Sequence, residues 1–195
     1  MNWRDALISW HIVTSLWSVF VLYWFISGLR VKQTARTERS LSRIATVATL
    51  VAGAALIFWQ SPLSLGPLSA RFVPDRELSK GCGELLVALG VTIAIWARRH
   101  LGQYWSARVT LKVDHQLIRS GPYAWVRHPI YTGVLLSMIG TALFVGEWRA
   151  LLGVVLVFVA HWLKARREEA LLAGQFGSAY EEYRRRTGSL IPRLH

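Results

Sequence analysis

A chain of 195 residues with 53% hydrophobic residues, ten tryptophans and a mean hydropathy of +0.32 is too oily for an ordinary soluble domain. Its formal net charge of +12 sits between apolar runs, which argues against nucleic acid as a partner and for membrane topology and anionic headgroups. A single cysteine, Cys82, excludes an intrachain disulfide and a cysteine-based metal cluster, and the six scattered histidines lack metal-ligand spacing, so no metal site is expected.

Five apolar runs follow one another, at 6–29, 44–59, 81–97, 130–145 and 150–163. The first is long enough to span a bilayer, which takes about 20 residues. It lacks a strongly basic leader and a small-residue cleavage site, so it reads as a retained span rather than a signal peptide. Gly53 lies among small neighbours in the second run, where helices can approach closely. The segment 61–80 carries Pro62, Pro67 and Pro74 and reads as loop, with an interfacial piece around 68–73. The last two runs are short and separated only by Gly146-Glu147-Trp148-Arg149, the tip of a tight helical hairpin. No internal repeat or soluble second domain is visible. The fold expected is all-α: a polytopic membrane bundle of about five transmembrane helices forming one domain over 1–195, with N-terminal helices in 1–97 and the chemistry in 98–195.

Charge orients the bundle. Loops 30–43 and 98–129 and the tail from Lys164 onward carry 18 of the 23 basic residues. The positive-inside rule then puts the N-terminus outside and these three segments in the cytoplasm.

The stretch 115–133 is polar, basic and aromatic in this oily setting. Gly121-Pro122 is turn chemistry, and Pro129 disfavours helix at His128 while starting one itself. Arg127 and His128 therefore sit at the mouth of the fourth helix. In a hairpin turning at Trp148, His128 and Glu168 each lie 20 residues from the tip, so they stand level. Glu168 and Glu169 point about 100° apart on a helix. At most one faces a given ligand atom, leaving the other to pair with Arg166, Arg167 or Arg127. Taken singly, Arg127 reads as a membrane anchor, the acidic pair as a solvated helix end, and Tyr123 and Tyr131 as belt aromatics. Converging in one place they read as a site. His161, near the cytoplasmic end of the fifth run, is a further candidate, whereas His11 and Glu84 lie near the outer end.

The order Gly121-Pro122-Tyr123, Arg127-His128-Pro129-x-Tyr131-x-Gly133, apolar hairpin, Glu168-Glu169, Phe176-Gly177, Tyr180, Tyr183, Thr187 and Leu190-Ile191-Pro192 resembles the isoprenylcysteine carboxyl methyltransferase family, whose wider group includes phospholipid N-methyltransferases. Leu101-Gly102 and Trp105-Ser106 are similar to its upstream segment, so the resemblance covers about 101–192. It implies a small transmembrane bundle using S-adenosylmethionine without a Rossmann domain, with Arg-His-Pro and Glu-Glu bracketing the cofactor. Carried onto this chain, it implies cofactor contacts at His115, Leu117, Gly121, Tyr123, His128, Tyr131, Glu168 and Glu169. Ser189 departs from the pattern, since many members carry a basic residue there.

The implied reaction is methyl transfer to a lipophilic acceptor, a small molecule or prenylated substrate drawn from among the membrane lipids. A carboxylate acceptor is ionised at neutral pH and needs alignment and desolvation rather than a base. Arg127 is the first choice to aim it and Arg186 the second. The expected location is the plasma (inner) membrane with the active site facing the cytoplasm. The alternatives are an amine-lipid methyltransferase, which would need a base, a sterol-reductase-like membrane reductase, and a non-enzymatic membrane adaptor. Against the reductase, Pro129-Ile130-Tyr131-Thr132-Gly133-Val134 stands where such enzymes have Pro-Asn-Tyr followed by Gly-Glu.

Overall fold

In hydrocarbon every backbone polar group must be satisfied within its own segment, and the apolar runs meet that demand as helices. The computed structural model describes residues 3–28, 34–37, 40–58, 65–102, 110–112 and 117–193. The helices are α1 (Trp3–Gly28), α2 (Ser40–Phe58), α3 (Glu77–Leu101), α4 (Pro129–Val145) and α5 (Trp148–Phe176), followed by the polar α6 (Ser178–Arg186). Stretches in α1, α3 and α5 are long and apolar enough to cross a membrane, and α2 and α4 contribute shorter apolar helices. The chain is thus an integral membrane protein built as a helical bundle. Of the five expected spans, three are helices long and apolar enough to cross a membrane and two are shorter apolar helices.

The hairpin turns where the sequence expects. Pro129 opens α4, Gly146 ends it in the left-handed conformation at φ 74°, and α5 starts two residues later at Trp148. The fifth helix is longer than its apolar run. The charges from Lys164 onward do not stop it, because they are good helix formers once the helix leaves the bilayer. At 1.5 Å per residue the 29 residues of α5 span about 43 Å, against about 26 Å for the 17 of α4. The excess carries Glu168 and Glu169 out level with the start of α4.

The two hairpin helices lean on different neighbours, α4 chiefly along α3 and α5 chiefly along α2. Both contacts are seams of small residues. A Cβ added to Gly90 would lie 2.4 Å from the Gly133 carbonyl oxygen, and one added to Gly133 would lie 2.5 Å from that of Gly90. Gly53 and Gly153 meet in the same way between α2 and α5. Sequence reading singled out only Gly53. At the hairpin tip, Phe72 N–H donates to the Gly146 carbonyl at 2.9 Å and Arg149 Nη1 to the Leu56 carbonyl at 2.7 Å, tying in the segment before α3 and the end of α2. The 65–76 loop includes a short 3-10 turn at Gly66–Ser69, where an interfacial piece was expected slightly later.

One feature adds to the all-α expectation. Strands β1 (Thr34–Thr37) and β2 (Thr110–Lys112) pair antiparallel, Thr37 opposite Thr110. They belong to the two basic loops, which the ribbon therefore joins at one end of the bundle.

The α3–α4 seam gives a direct test. Gly90→Ala forces a methyl group into backbone and should destabilise the detergent-solubilised protein by about 1–3 kcal/mol. Gly81→Ala, on the same helix with nothing within 4 Å of its added Cβ, should be neutral or stabilising by up to about 1 kcal/mol. Thermal unfolding of the two variants side by side checks the pair.

Candidate functional site

The site is assembled by a fold-back of the C-terminus. After α6 the chain crosses the N-terminus of α4 as a strap. Arg127 N–H donates to the Gly188 carbonyl at 2.9 Å and His128 N–H to the Ser189 carbonyl at 3.1 Å, in a parallel pairing of Val126 with Gly188. The Thr132 hydroxyl donates to the Leu190 carbonyl at 2.7 Å, and Leu190 itself is buried in the core with Leu135 and Met138. From the α6 side, the Tyr183 hydroxyl reaches the Tyr123 carbonyl at 2.7 Å. Pro129 has no N–H and His128, at φ −125° and ψ 58°, is not helical, so the backbone entering α4 is free to pair with the strap in this way.

Side chains then close a polar network over this frame. Arg127 grips Glu169 with both arms of its fork, Nε to Oε1 at 3.0 Å and Nη2 to Oε2 at 3.3 Å. Its Nη1 donates to the carbonyls of Arg184 and Thr187. His128 stands between the acidic pair, Nε2 at 3.1 Å from Glu169 Oε1 and Nδ1 at 3.5 Å from Glu168 Oε2. Tyr131, one turn along α4, donates its hydroxyl to Glu168 Oε1 at 2.7 Å. The Tyr131 ring stacks parallel to the His128 imidazole, meets His161 edge-on at 4.8 Å, and has the Lys164 ammonium 5.3 Å from its centroid. The Ser189 hydroxyl donates to Glu169 Oε1 at 2.8 Å.

Electrostatics follow from the geometry. Burial pushes the pKa of His128 down, but hydrogen bonds and charge from Glu168 and Glu169 outweigh it, so the net shift is upward from 6.5. The two carboxylates thereby favour the imidazolium over the neutral ring. The buried Tyr180 hydroxyl has no hydrogen-bond partner among the described residues, and burial, then the charge of Glu169, raises its pKa.

The level pairing expected from the hairpin register is present as the His128–Glu168 contact. Of the three arginines that could have neutralised an acidic partner, Arg127 does so; Arg167 donates to the Thr46 hydroxyl at 2.9 Å and Arg166 lies over the Trp162 ring. That pairing alters the expectation for Arg127 itself. The fork foreseen for an acceptor carboxylate is closed on Glu169, with the side chain only 9% exposed. Arg186, the second choice, is exposed, pairs with Glu182 at 2.6 Å, and borders a cleft of about 300 Å³ with Arg119, Ala124, Tyr183 and Thr187. Tyr123 is buried near Ala97 and Ile130, its hydroxyl 3.4 Å from the Ala97 carbonyl, rather than hydrogen-bonded to the acidic pair. Gly121 has φ +58°, and the His100 ring fills the place a Cβ would take, so it serves the turn. Leu117 is half-buried, while His115 and the Trp105-Ser106 pair lie outside the described residues. Sequence reading missed Lys164 and the bonding of Ser189. Lys164 had a signal, since 161, 164 and 168 share one helical face; Ser189 had none, because the strap is set by tertiary contact.

Against known proteins, residues 84–174 match the model of the Isoprenylcysteine carboxyl methyltransferase (ICMT) family. The protein-S-isoprenylcysteine O-methyltransferase of Schizosaccharomyces pombe is 36% identical over 109 residues, 54% of this chain and 46% of that protein. The enzyme of the same name from Saccharomyces cerevisiae is 36% identical over 118 residues, covering 57% and 47%. The chain therefore spans about half the length of the curated relatives it matches. The solved structure of the eukaryotic intramembrane Ras methyltransferase ICMT shares the fold, with a TM-score of 0.54, 23% identity, and coverage of 81% of this chain and 54% of that one.

The raised pKa of His128 fixes the sign of a pH dependence. A group whose folded pKa lies above its unfolded value stabilises fully below the unfolded value, near 6.5, and loses that contribution as pH rises through the folded one. The melting temperature of the wild type should exceed that of His128→Gln most below pH 6.5 and converge on it as pH is raised through the folded-state pKa. A gap that is constant with pH, or widens, contradicts the imidazolium.

Proposed function

We propose that the chain is a member of the isoprenylcysteine carboxyl methyltransferase family, whose model its residues 84–174 match, and that it transfers a methyl group from S-adenosylmethionine to the carboxylate of a lipophilic, isoprenylcysteine-like acceptor. The observation that carries the reading lies inside the matched region. Two carboxylates, a buried imidazole and a stacked tyrosine meet at the end of the bundle that gathers the two ribbon-linked loops.

The residues present fit the cofactor. Carboxylates suit ribose hydroxyls, which are donors, and their negative charge suits a sulfonium. Tyr131 offers an aromatic surface already facing a cation, Lys164. The buried, unmatched Tyr180 hydroxyl is a polar group with hydrogen-bonding capacity to spare. Glu168, Glu169, His128 and Tyr131 would hold the cofactor, which when bound supplies a methyl group made electrophilic by its sulfonium. The chain's part is to align a carboxylate that is already ionised and to exclude water around it. With Arg127 engaged by Glu169, we assign it to holding the pocket and assign the acceptor carboxylate to the exposed Arg186, with Arg119 on the same cleft. His128 also bears on the acceptor. The two carboxylates beside it favour its protonated form, which suits a carboxylate acceptor better than an amine that must first lose a proton.

We further propose that the site faces the cytoplasm from the inner membrane, with the N-terminus outside. The support is the basic charge of loops 30–43 and 98–129 together with the ribbon that joins them. Cysteines introduced at positions 36 and 185 of a Cys82→Ser chain should both label from the cytoplasmic side. Labelling from opposite sides contradicts the topology.

Purified protein given labelled S-adenosylmethionine and a panel of prenylcysteines, lipid acids and amine lipids should form a base-labile methyl ester on the prenylcysteine. Label confined to amine lipids would overturn the reading. In Arg127→Lys, one ammonium cannot hold both the Glu169 carboxylate and two carbonyls. Cofactor affinity and kcat/KM should therefore fall together, by about ten- to a hundredfold, the equivalent of losing one or two charged hydrogen bonds. Unchanged cofactor affinity with lost turnover would instead return Arg127 to aiming the acceptor.

A further inference from the structure

The bilayer is itself a partner, and the helices record its dimensions. Ordinary bilayers hold about 30 Å of hydrocarbon, which a helix crosses with about 20 apolar residues. The lipid-facing runs of this chain are shorter. On α5, exposed tryptophans mark both ends, Trp148 and Trp162, 14 residues apart, and exposed Arg166 follows. On α2 the apolar run from Ile44 to Phe58 covers the same 14 residues and starts beside exposed Arg43. On α1 the exposed run from Ile12 to Ile26 matches it, starting beside exposed His11. Each run corresponds to about 21 Å along its axis. On α3 the exposed run between Glu84 and Arg99, from Leu85 to Trp96, is shorter still. Leu78 is exposed beyond it, but in a turn with exposed Arg76 and Glu77, a composition suited to headgroups. Tilt does not lengthen such runs, because it lowers the height they cover.

Both ends of the α5 run are held by contacts within the fold. Long basic side chains ordinarily stretch away from hydrocarbon and blur its edge. Arg166 does the reverse. Its guanidinium lies back over the Trp162 ring, 5.2 Å from the centroid, so a full charge stands level with the last exposed tryptophan. At the other end the Trp148 ring meets Phe72, and its backbone N–H donates to the Ala70 carbonyl at 3.1 Å, which fixes the 65–76 loop over the end of the run.

We propose that the protein is fitted to a thin bilayer: its belt takes about 21 Å of hydrocarbon, so short acyl chains are its preferred neighbours and longer ones are compressed around it. Hydrocarbon of about 30 Å would rise some 4–5 Å past each edge and cover the charges of Arg43 and Arg166, which thinning avoids. The belt also sets the height of the polar cluster. Glu168 lies six residues beyond Trp162, about 9 Å along α5, so a thinned surface leaves the cluster in the headgroup layer, where the polar end of a membrane-borne molecule meets water. The belt is a property of the helices, whatever acceptor the chain methylates.

Phosphatidylcholines with monounsaturated chains of fourteen, eighteen and twenty-two carbons test the fit. The full chain is reconstituted in binary mixtures in which one lipid carries brominated chains, and quenching of tryptophan fluorescence reads which lipid touches the belt. The fourteen-carbon lipid should be preferred over the twenty-two-carbon lipid by about two- to fivefold, with the eighteen-carbon lipid between them. A preference that peaks at eighteen carbons or beyond, or no preference at all, overturns the proposal. The double variant Arg43→Leu, Arg166→Leu lengthens two of the runs by about one turn each and should move the maximum towards eighteen carbons. Circular dichroism in each mixture identifies folded protein, and if the double variant does not fold, Arg166→Leu alone is read in the same way. A maximum that stays at fourteen carbons in the folded variant shows that these charges do not set the edge, and overturns the proposal as well.

Discussion

The partly buried fork between Arg127 and Glu169 is the contact on which the rest of this end of the molecule depends. It joins three segments distant in sequence: the approach to α4, the projecting part of α5 and the strap after α6. Removing either partner would leave a charge in a place that water reaches poorly, and for such pairs that penalty exceeds what the intact pair contributes net. The bridge is therefore better understood as fixing an arrangement than as a source of stability. It selects one position for the strap, and the strap in turn sets the Ser189 carbonyl against His128 and the Ser189 hydroxyl against Glu169.

This arrangement requires a rigid frame beneath it. The α3–α4 seam supplies one, since glycines facing each other let the helix backbones touch. Close backbone approach is a favoured means of association among membrane helices, for which apolar side chains gain little by leaving lipid. The Ser137 hydroxyl reinforces the seam, reaching the Val87 carbonyl of α3 at 3.3 Å, and the Trp17 indole reaches the Thr141 hydroxyl at 3.0 Å from α1. Fixed in this way, α4 presents His128 at its mouth and Tyr131 one turn inside, facing the extended α5.

Charge is organised in the same economical way. Two carboxylates favour the protonated form of His128, and one of them is itself paired with Arg127, so charges of opposite sign meet throughout the cluster. A ligand bearing donors and positive charge would find one carboxylate only partly engaged and a tyrosine face already suited to a cation. The methyl-transfer chemistry proposed for the chain asks for this kind of surface.

The sequence by itself determined a good deal. Apolar runs bounded by charge can only be helices in a bilayer, so the order of the helices was legible, as was the hairpin tip at 146–149. Counting outward from that tip brought His128 level with Glu168, because rise per residue is the same in both arms. Two kinds of information were out of reach. One was pairing between segments: which arginine neutralises an acidic residue, the β1–β2 ribbon and the strap at 187–191 all depend on the whole chain being in place. The other was direction. Sequence spacing gives the height of a side chain along a helix, but whether Arg127 opens towards a ligand or closes on Glu169 is decided by where the carbonyls of Arg184 and Thr187 come to rest. Local periodicity is a property of the chain, whereas the partner of a buried charge is a property of the fold, because only burial makes an unpaired charge costly enough to choose.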